Sequence, residues 1–294
     1  MTESTSSPET TVERLHNEPL AKYNTFKIGG PAEVFSIPRS QEELISEIKH
    51  CESNGIPWKI LGNGSNLIIR DAGVKGFVIH NKHALCTMEV VSREEGYGVV
   101  EAGSSVLMPQ LVKFLVDNGL EGMEYLQSVP GTIGGGIYMN AGRGMNFNQY
   151  ITDYLEYVTV YDGEKVIEIT RDACEFTYRR SVFFDHKNWI ILGARFRIPE
   201  QDKAIGKKKI AERMAYVRET QARKVPNIGT TFKTCSPKII SRLKGLRIGN
   251  AKLVGNWISN LGNARSRDVL AIIWIVKAIH IITRSPVDLE NEVW

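Results

Sequence analysis

The 294 residues carry few of the signals that assign a chain at a glance. The four cysteines, Cys51, Cys86, Cys174 and Cys235, are far apart and form no C-x-x-C pair, so neither a zinc site nor a disulfide framework is expected. A reducing cytoplasm is the simplest setting. The six histidines make no metal-like cluster, and no metal is expected. No G-x-S-x-G elbow and no H-E-x-x-H pair occur, which removes the commonest hydrolase readings. There is no Walker G-x-x-x-x-G-K-[ST], and no G-x-G-x-x-G ends a strand with an acidic residue about twenty positions on. The net charge of +4 is scattered instead of forming a long basic stripe, so nucleic acid is not an expected partner. M-T-E-S-T-S-S-P-E-T-T has neither a basic start nor an apolar segment, unlike a signal peptide. The most apolar run, Val269 to Ile282, is too short to span a bilayer and contains Lys277 and His280. It reads as a buried amphipathic helix, and no membrane partner is expected.

What is present is an ordinary globular composition, 42% hydrophobic and 24% charged, with length for two or three small domains. Within it, Ser128 to Gly142 packs five glycines and a proline into fifteen residues, S-V-P-G-T-I-G-G-G-I-Y-M-N-A-G. That composition suits neither a packed helix nor a central strand. Glycines at 131, 134, 135 and 136 permit positive φ, and a run of exposed amides there would cradle an anion such as a diphosphate. Taken alone, such a stretch is a tight turn or bulge. A second one, L-G-N-G-S-N-L at Leu61 to Leu67, follows another apolar run and adds Asn63, Ser65 and Asn66 as hydrogen-bonding side chains. Two such loops suggest one long ligand. Because neither is a Rossmann fingerprint, they point to another way of holding a flavin, and together they look like those of vanillyl-alcohol-oxidase-type FAD-binding domains.

Residues 1 to 18, rich in Ser, Thr and Glu, read as a mobile tail. A strand is expected at Ala32 to Ile37, then a helix from a Ser40/Glu43 capping box to about Asn54. Further strands fall at 58–61, 66–70, 76–80, 87–91 and 96–102. A helix is expected at 106–118 with Gly119 as its C-cap, and strands at 154–161 and 189–198 with an Asp162-Gly163 hairpin turn. Pro199 to Lys208 looks like a boundary, followed by a charged helix, a loop and strand at Asn227 to Lys233, and a helix at 267–284. The expected fold is α+β: lobe one at 19–85, lobe two at 86–198, and a third domain at 199–294.

Chemistry would come from separated segments. In Tyr178-Arg179-Arg180-Ser181 a fixed guanidinium could bind a carboxylate or stabilise an enolate, though a basic surface turn is an equal reading. Asn227 to Thr234 offers two hydroxyls and Lys233 beside a glycine, yet Thr-rich strands are usually structural. Glu290 and Glu292 could include an acid, although terminal acidic residues are most often solvated.

In order, N-T-F-K-I-G-G-P-A, L-G-N-G-S-N-L, V-P-G-T-I-G-G-G-I-Y-M-N-A-G, F-T-Y-R-R-S-V-F, G-T-T-F-K and L-E-N-E-V make the chain from about residue 20 onward resemble the UDP-N-acetylenolpyruvoylglucosamine reductase (MurB) family. The resemblance implies a vanillyl-alcohol-oxidase/PCMH-type FAD-binding domain of two lobes, with a third domain closing over a UDP-sugar. It also implies that NADPH reduces FAD, which passes hydride to the substrate's enol ether in peptidoglycan precursor synthesis. By motif match, FAD would be contacted by Asn24, Thr25, Gly62, Asn63, Gly64, Ser65, Asn66, Pro130, Gly131, Thr132, Gly134, Gly135, Asn140 and Gly142. Arg179 would bind the substrate carboxylate and stabilise the enolate, with Tyr178 and Lys233 also on the substrate. Thr230 stands where the family carries the proton-donating Ser or Cys, and Glu292 falls on the family's Glu before Val. Thr234 replaces an Asn, Trp294 replaces an Arg, and Cys235 to Asn260 is shorter than the family's segment. These departures also fit a paralogue that binds FAD but is non-catalytic or takes another substrate. A flavin oxidase with a covalent flavin fits less well, because neither glycine loop holds a His or Cys.

Overall fold

The computed structural model describes residues 12–144, 147–220 and 225–294. Order begins earlier than the polar composition suggested, because β1 (Glu13–Pro19) pairs antiparallel with β2 (Pro31–Ile37). The expectation of a tail through residue 18 is therefore corrected from Glu13 onward, while residues 1–11 lie outside the described ones. β1 gave no apolar alternation because it is an edge strand held by its ladder and by Arg14, whose Nε donates to the buried Glu47 at 3.0 Å.

In the first lobe, α1 (Gln41–Ser53) starts where Ser40 Oγ accepts the Glu43 amide at 3.2 Å. Glu43 returns its carboxylate to the Arg39 amide at 2.7 Å, one residue earlier than the reciprocal box requires. β3 (Trp58–Leu61), the two-residue β4 (Leu67–Ile68) and β5 (Val74–His80) follow. The sheet runs β1-β2-β5-β3, and Leu44, Ile48 and Cys51 of α1 pack on Phe77 and Ile79.

The second lobe begins with β6 (Met88–Glu94), β7 (Tyr97–Gly103), α2 (Met108–Asp117), α3 (Ile133–Tyr138), β8 (Gly142–Gly144) and β9 (Gln149–Tyr150). β10 (Leu155–Tyr161), β11 (Val166–Thr170) and β12 (Ile190–Pro199) complete it. Its antiparallel sheet is ordered β11-β10-β12-β7-β6. The expected hairpin turn closes with Gly163 at φ +104 and the Asp162 carboxylate accepting the amides of Glu164 and Lys165.

α4 (Lys203–Thr220), expected in the third domain, packs on the second lobe: a Cβ on Gly206 would lie 2.9 Å from Val116, and Lys209 donates to Glu121 at 3.1 Å. Beyond it come β13 (Phe232–Thr234), α5 (Pro237–Leu243), β14 (Arg247–Ile248), β15 (Ala251–Gly255), β16 (Trp257–Asn260), α6 (Ser266–Ile282), β17 (Asp288–Leu289) and β18 (Glu292–Val293). The short 235–260 segment thus folds as a helix and the meander β14-β15-β16 against α6. This unit shares its core with Phe26, Ile28 and Ile68 of the first lobe. Asn260 Nδ2 donates to Phe26 O at 3.0 Å, while the Ser266 amide donates to Asp71 and the Asp71 amide to Ser266 Oγ. The third unit is thereby fastened beside the first glycine loop.

Candidate active site

The stretch expected to be a bare glycine loop is in part helical. Thr132 caps α3, its Oγ1 accepting the Gly135 amide at 3.2 Å. None of Gly131, Gly134, Gly135, Gly136 or Gly142 has positive φ. The amides of Ile133, Gly134 and Gly136 donate to Val106 O, Ser104 O and Thr132 O, so the run 133–136 is not the free anion cradle that the composition suggested. Glycine serves close approach there instead: a Cβ on Gly134 would lie 2.9 Å from that of Ser104.

Free amides lie in the other loop. The N–H groups of Gly62, Asn63, Gly64, Ser65 and Asn66, with those of Gly131 and Thr132, donate to no acceptor among the described residues. Gly64 has φ +59, and a Cβ on it would sit 2.8 Å from Asn24 Cα. The Thr25 amide reaches Gly64 O at 3.4 Å. The two loops also meet: Asn63 Nδ2 donates to Pro130 O, and a Cβ on Gly62 would lie 2.9 Å from Thr132 Oγ1. Consecutive unpaired amides beside a Cβ-free surface suit an extended diphosphate-containing ligand, so these residues fit FAD.

A second assembly adjoins the first through the C-terminal segment. Asn291 Nδ2 donates to Asn66 Oδ1 at 2.7 Å and to Thr230 O at 3.1 Å. Asn66 Nδ2 donates to Glu290 O at 3.1 Å, and the Glu290 amide to Thr231 O at 2.9 Å. β18 lies parallel to β4, with the Glu292 amide on Asn66 O at 3.0 Å. Arg179 enters from the second lobe at φ +58, on a turn closed by Thr177 and Arg180. Its Nε donates to Glu290 Oε1 at 2.9 Å, Nη1 to Asn140 O at 3.1 Å and Nη2 to Gly142 O at 3.1 Å. Three of five guanidinium N–H groups are used, leaving two.

The pair is nearly sealed, the Arg179 and Glu290 side chains being 12% and 11% exposed. Burial pushes the Glu290 carboxyl above the usual carboxylate range, against the opposing pull of Arg179 and Lys233. Glu290 Oε2, Asn291 Oδ1 and Thr231 Oγ1 are buried with no protein partner among the described residues. These three unpaired polar atoms gather where the C-terminal segment meets Thr230 and Thr231.

The structure divides the expected residues by what they do. Asn24 is a brace: its Nδ2 donates to Leu20 O at 2.9 Å and Ile28 O at 2.7 Å. Asn140 likewise holds the Arg179 turn, donating to Thr177 O and accepting from Thr152. Tyr178 lies under the Arg179 guanidinium, 5.1 Å from ring centre, and burial pushes its hydroxyl up. Lys233 pairs with Asp288 at 2.8 Å. Thr230 and Glu292 are exposed on either side of Asn291. Glu292 acts on Tyr138, whose hydroxyl is pushed up to about 12, first by burial and then by that charge. Trp294 does not face this assembly; it packs on the first lobe's core, with Lys59 over its ring at 5.0 Å. Sequence reasoning missed Asn291 and the pairing of Arg179 with Glu290. L-E-N-E-V read as one strand would set Asn291 on the opposite face, but β17 ends at Leu289 and β18 starts at Glu292.

This α+β fold with its two amide-lined loops defines a flavoprotein of the non-Rossmann, PCMH type. Accordingly, the family model described as FAD binding domain matches residues 32–169. The UDP-N-acetylenolpyruvoylglucosamine reductase of Pseudothermotoga lettingae is 35% identical over 291 residues, covering 95% of this chain and 96% of that protein. That of Listeria welshimeri is 34% identical over 288 residues, covering 94% and 93%. The crystal structure of the Thermus caldophilus enzyme (MurB) has a TM-score of 0.76 at 31% identity, covering 97% of this chain and 99% of that one. The chain belongs to the UDP-N-acetylenolpyruvoylglucosamine reductase family; it is an enzyme, and FAD is its cofactor.

Proposed function

We propose that the protein is an NADPH-dependent reductase that converts the enol ether of UDP-N-acetylglucosamine enolpyruvate to UDP-N-acetylmuramate, for peptidoglycan precursor synthesis in the cytoplasm. NADPH is the family's reductant. The observation that carries the reading is the joining of Asn66, Thr230, Glu290 and Arg179 through the C-terminal segment, beside the free amides of residues 62–66.

When bound, FAD supplies the hydride it has taken from NADPH. The amides of Gly62 to Asn66, with those of Gly131 and Thr132, would hold the diphosphate; Asn24, Thr25 and Pro130 fix the loops, and Gly134 and Gly135 leave room beside them. Asn140 and Gly142 act through their carbonyls, which orient Arg179. The two remaining N–H groups of Arg179 bind the enolpyruvyl carboxylate and stabilise the negative charge that grows on it as the double bond is reduced. The hydride would be supplied to the methylene carbon by the bound cofactor, and Thr230 is the residue that would give its hydroxyl proton to the ether-bearing carbon, assisted by Glu292. Tyr178 and Lys233 bind the sugar nucleotide. A threonine hydroxyl has serine-like acidity, but its methyl restricts χ1. The division into two FAD lobes and a substrate domain belongs to the same proposal, with α4 resting on the second lobe.

Thr230→Ser should keep or raise turnover of the enolpyruvyl sugar nucleotide. Thr230→Ala should lower it by roughly 10²–10⁴-fold with flavin reduction by NADPH unchanged. Equal turnover in all three proteins removes Thr230 from the mechanism.

A further inference from the structure

Helix α6 is apolar on two opposite faces, and only one of them is covered. Val269, Ile272, Ile273, Val276 and His280 are buried in the third unit's core. At about 100° per residue, Ala271, Trp274, Ala278 and Ile281 fall on the other side, while Leu270 lies on the flank and packs on the core. Trp274 and Ile281 are each 71% exposed and Ile282 is 80% exposed, the three most exposed large apolar side chains among the described residues. Scattered apolar residues on a surface are normal; a stripe on the order of 20 Å along one helix is a contact surface.

The charge around this stripe says what covers it. Residues 225–294 hold ten Lys and Arg against four Asp and Glu, a surplus greater than the +4 of the whole chain. Arg267 lies on the outer side of α6, half-buried Lys277 stands at the border of that side, and exposed Arg284 follows the helix end. Lys238, Arg242 and Lys244 lie on and just after α5, which packs on α6. Of these six, only Arg267 has an acidic partner among the described residues, Asp268 at 3.7 Å. A second copy of this chain would bring the same positive surplus against itself, whereas an anionic surface complements it. No helix among the described residues is long and apolar enough to cross a membrane, and the inner face of α6 is already spent on the core. A tryptophan and isoleucines along a helix fringed by cations suit the headgroup boundary of a bilayer.

We infer that the outer face of α6 docks the protein peripherally on anionic phospholipid membranes, Trp274, Ile281 and Ile282 entering the headgroup boundary and Lys277 and Arg284 meeting lipid phosphates. The inference goes beyond the reductase reading and does not depend on it.

Flotation of the FAD-loaded chain with phosphatidylglycerol/phosphatidylcholine vesicles tests it, with phosphatidylcholine vesicles as reference. Retention on the anionic vesicles at low salt, weakening as salt is raised, is expected. The variant W274S/I281S/I282S should bind on the order of a hundred-fold more weakly or worse. The variant K277Q/R284Q should bind roughly thirty-fold more weakly. Flavin absorbance and NADPH reaction in solution should be unchanged in both, since all five side chains lie outside the active-site assembly. No retention on anionic vesicles at low salt overturns the inference, as does equal retention of the triple variant. A solution dimer that the triple variant dissociates also overturns it, because a second copy would then cover the face.

Discussion

Glu290 sets how Arg179 is held, and two opposing effects decide what its replacement does. Removing one partner of a buried ion pair typically costs about 3–5 kcal/mol, because the other charge is stranded, and both side chains here are close to one-tenth exposed. Against that, burial raises the Glu290 carboxyl despite Arg179, and its Oε2 has no protein partner. The ionised carboxylate is therefore worse placed in the folded chain than in the unfolded one. Glu290→Gln keeps an acceptor for the Arg179 Nε–H and drops the poorly solvated charge, so it should cost less than about 1.5 kcal/mol at neutral pH. Glu290→Ala removes the acceptor and leaves a void, and should cost about 3 kcal/mol. Urea unfolding of the three proteins followed by tryptophan fluorescence reads both numbers. The pH dependence has a defined sign: a carboxyl raised on folding gives its full contribution below its unfolded value and loses it as pH rises through its folded value. The Gln variant should therefore gain on the parent between acidic and neutral pH. If Gln proves as costly as Ala at neutral pH, the ion pair outweighs desolvation and this reasoning fails.

Gly135 separates flavin contact from folding. A Cβ there would meet nothing nearer than Thr132 Oγ1 at 3.5 Å, so Gly135→Ala should leave unfolding unchanged or improve it by up to about 1 kcal/mol. Weaker retention of FAD by that variant, seen in flavin absorbance after gel filtration, would place cofactor against α3; unchanged retention would place it elsewhere. His80 is lowered from 6.5 to about 4 by burial, packed against the stacked rings of Tyr23 and Phe35 at 5.2 Å from each. Its share of stability is complete above about pH 6.5 and falls by about 3 kcal/mol as pH drops toward 4, a slope that His80→Phe should remove from urea midpoints. Trp294→Ala should cost about 2–4 kcal/mol of stability while leaving the KM for the sugar nucleotide within a few-fold of the parent. A large KM change at full stability would return Trp294 to the substrate.

Composition made the two loops legible, because only a few residue types tolerate such backbone density. It did not tell which loop has free amides, since glycine is chosen equally for positive φ, as at Gly64, and for close approach at ordinary φ, as at Gly134. Gly134 to Gly136 could form a helix turn because Thr132 caps it and Ser104 accepts its amide, contacts set by tertiary structure. β1 escaped notice because its partners are backbone groups of β2, and an edge strand needs little apolar alternation. The Asn66–Asn291–Thr230 bridge was hidden for a different reason. Its members lie 225 and 61 positions apart, and a buried Asn between two Glu residues has no local pattern to betray it. α6 was legible as a helix, but its expected burial holds for one face only.

The most direct test of the reductase reading is to mix the purified, FAD-loaded protein with NADPH and the enolpyruvyl sugar nucleotide while following nicotinamide and flavin absorbance together. Repeated turnover is predicted, with NADPH consumed in proportion to substrate and the flavin returning to its oxidised spectrum when NADPH is exhausted. Flavin bleached once by NADPH and never reoxidised by the substrate would contradict the account, leaving the FAD site in place without the reaction assigned to Arg179, Thr230 and Glu292.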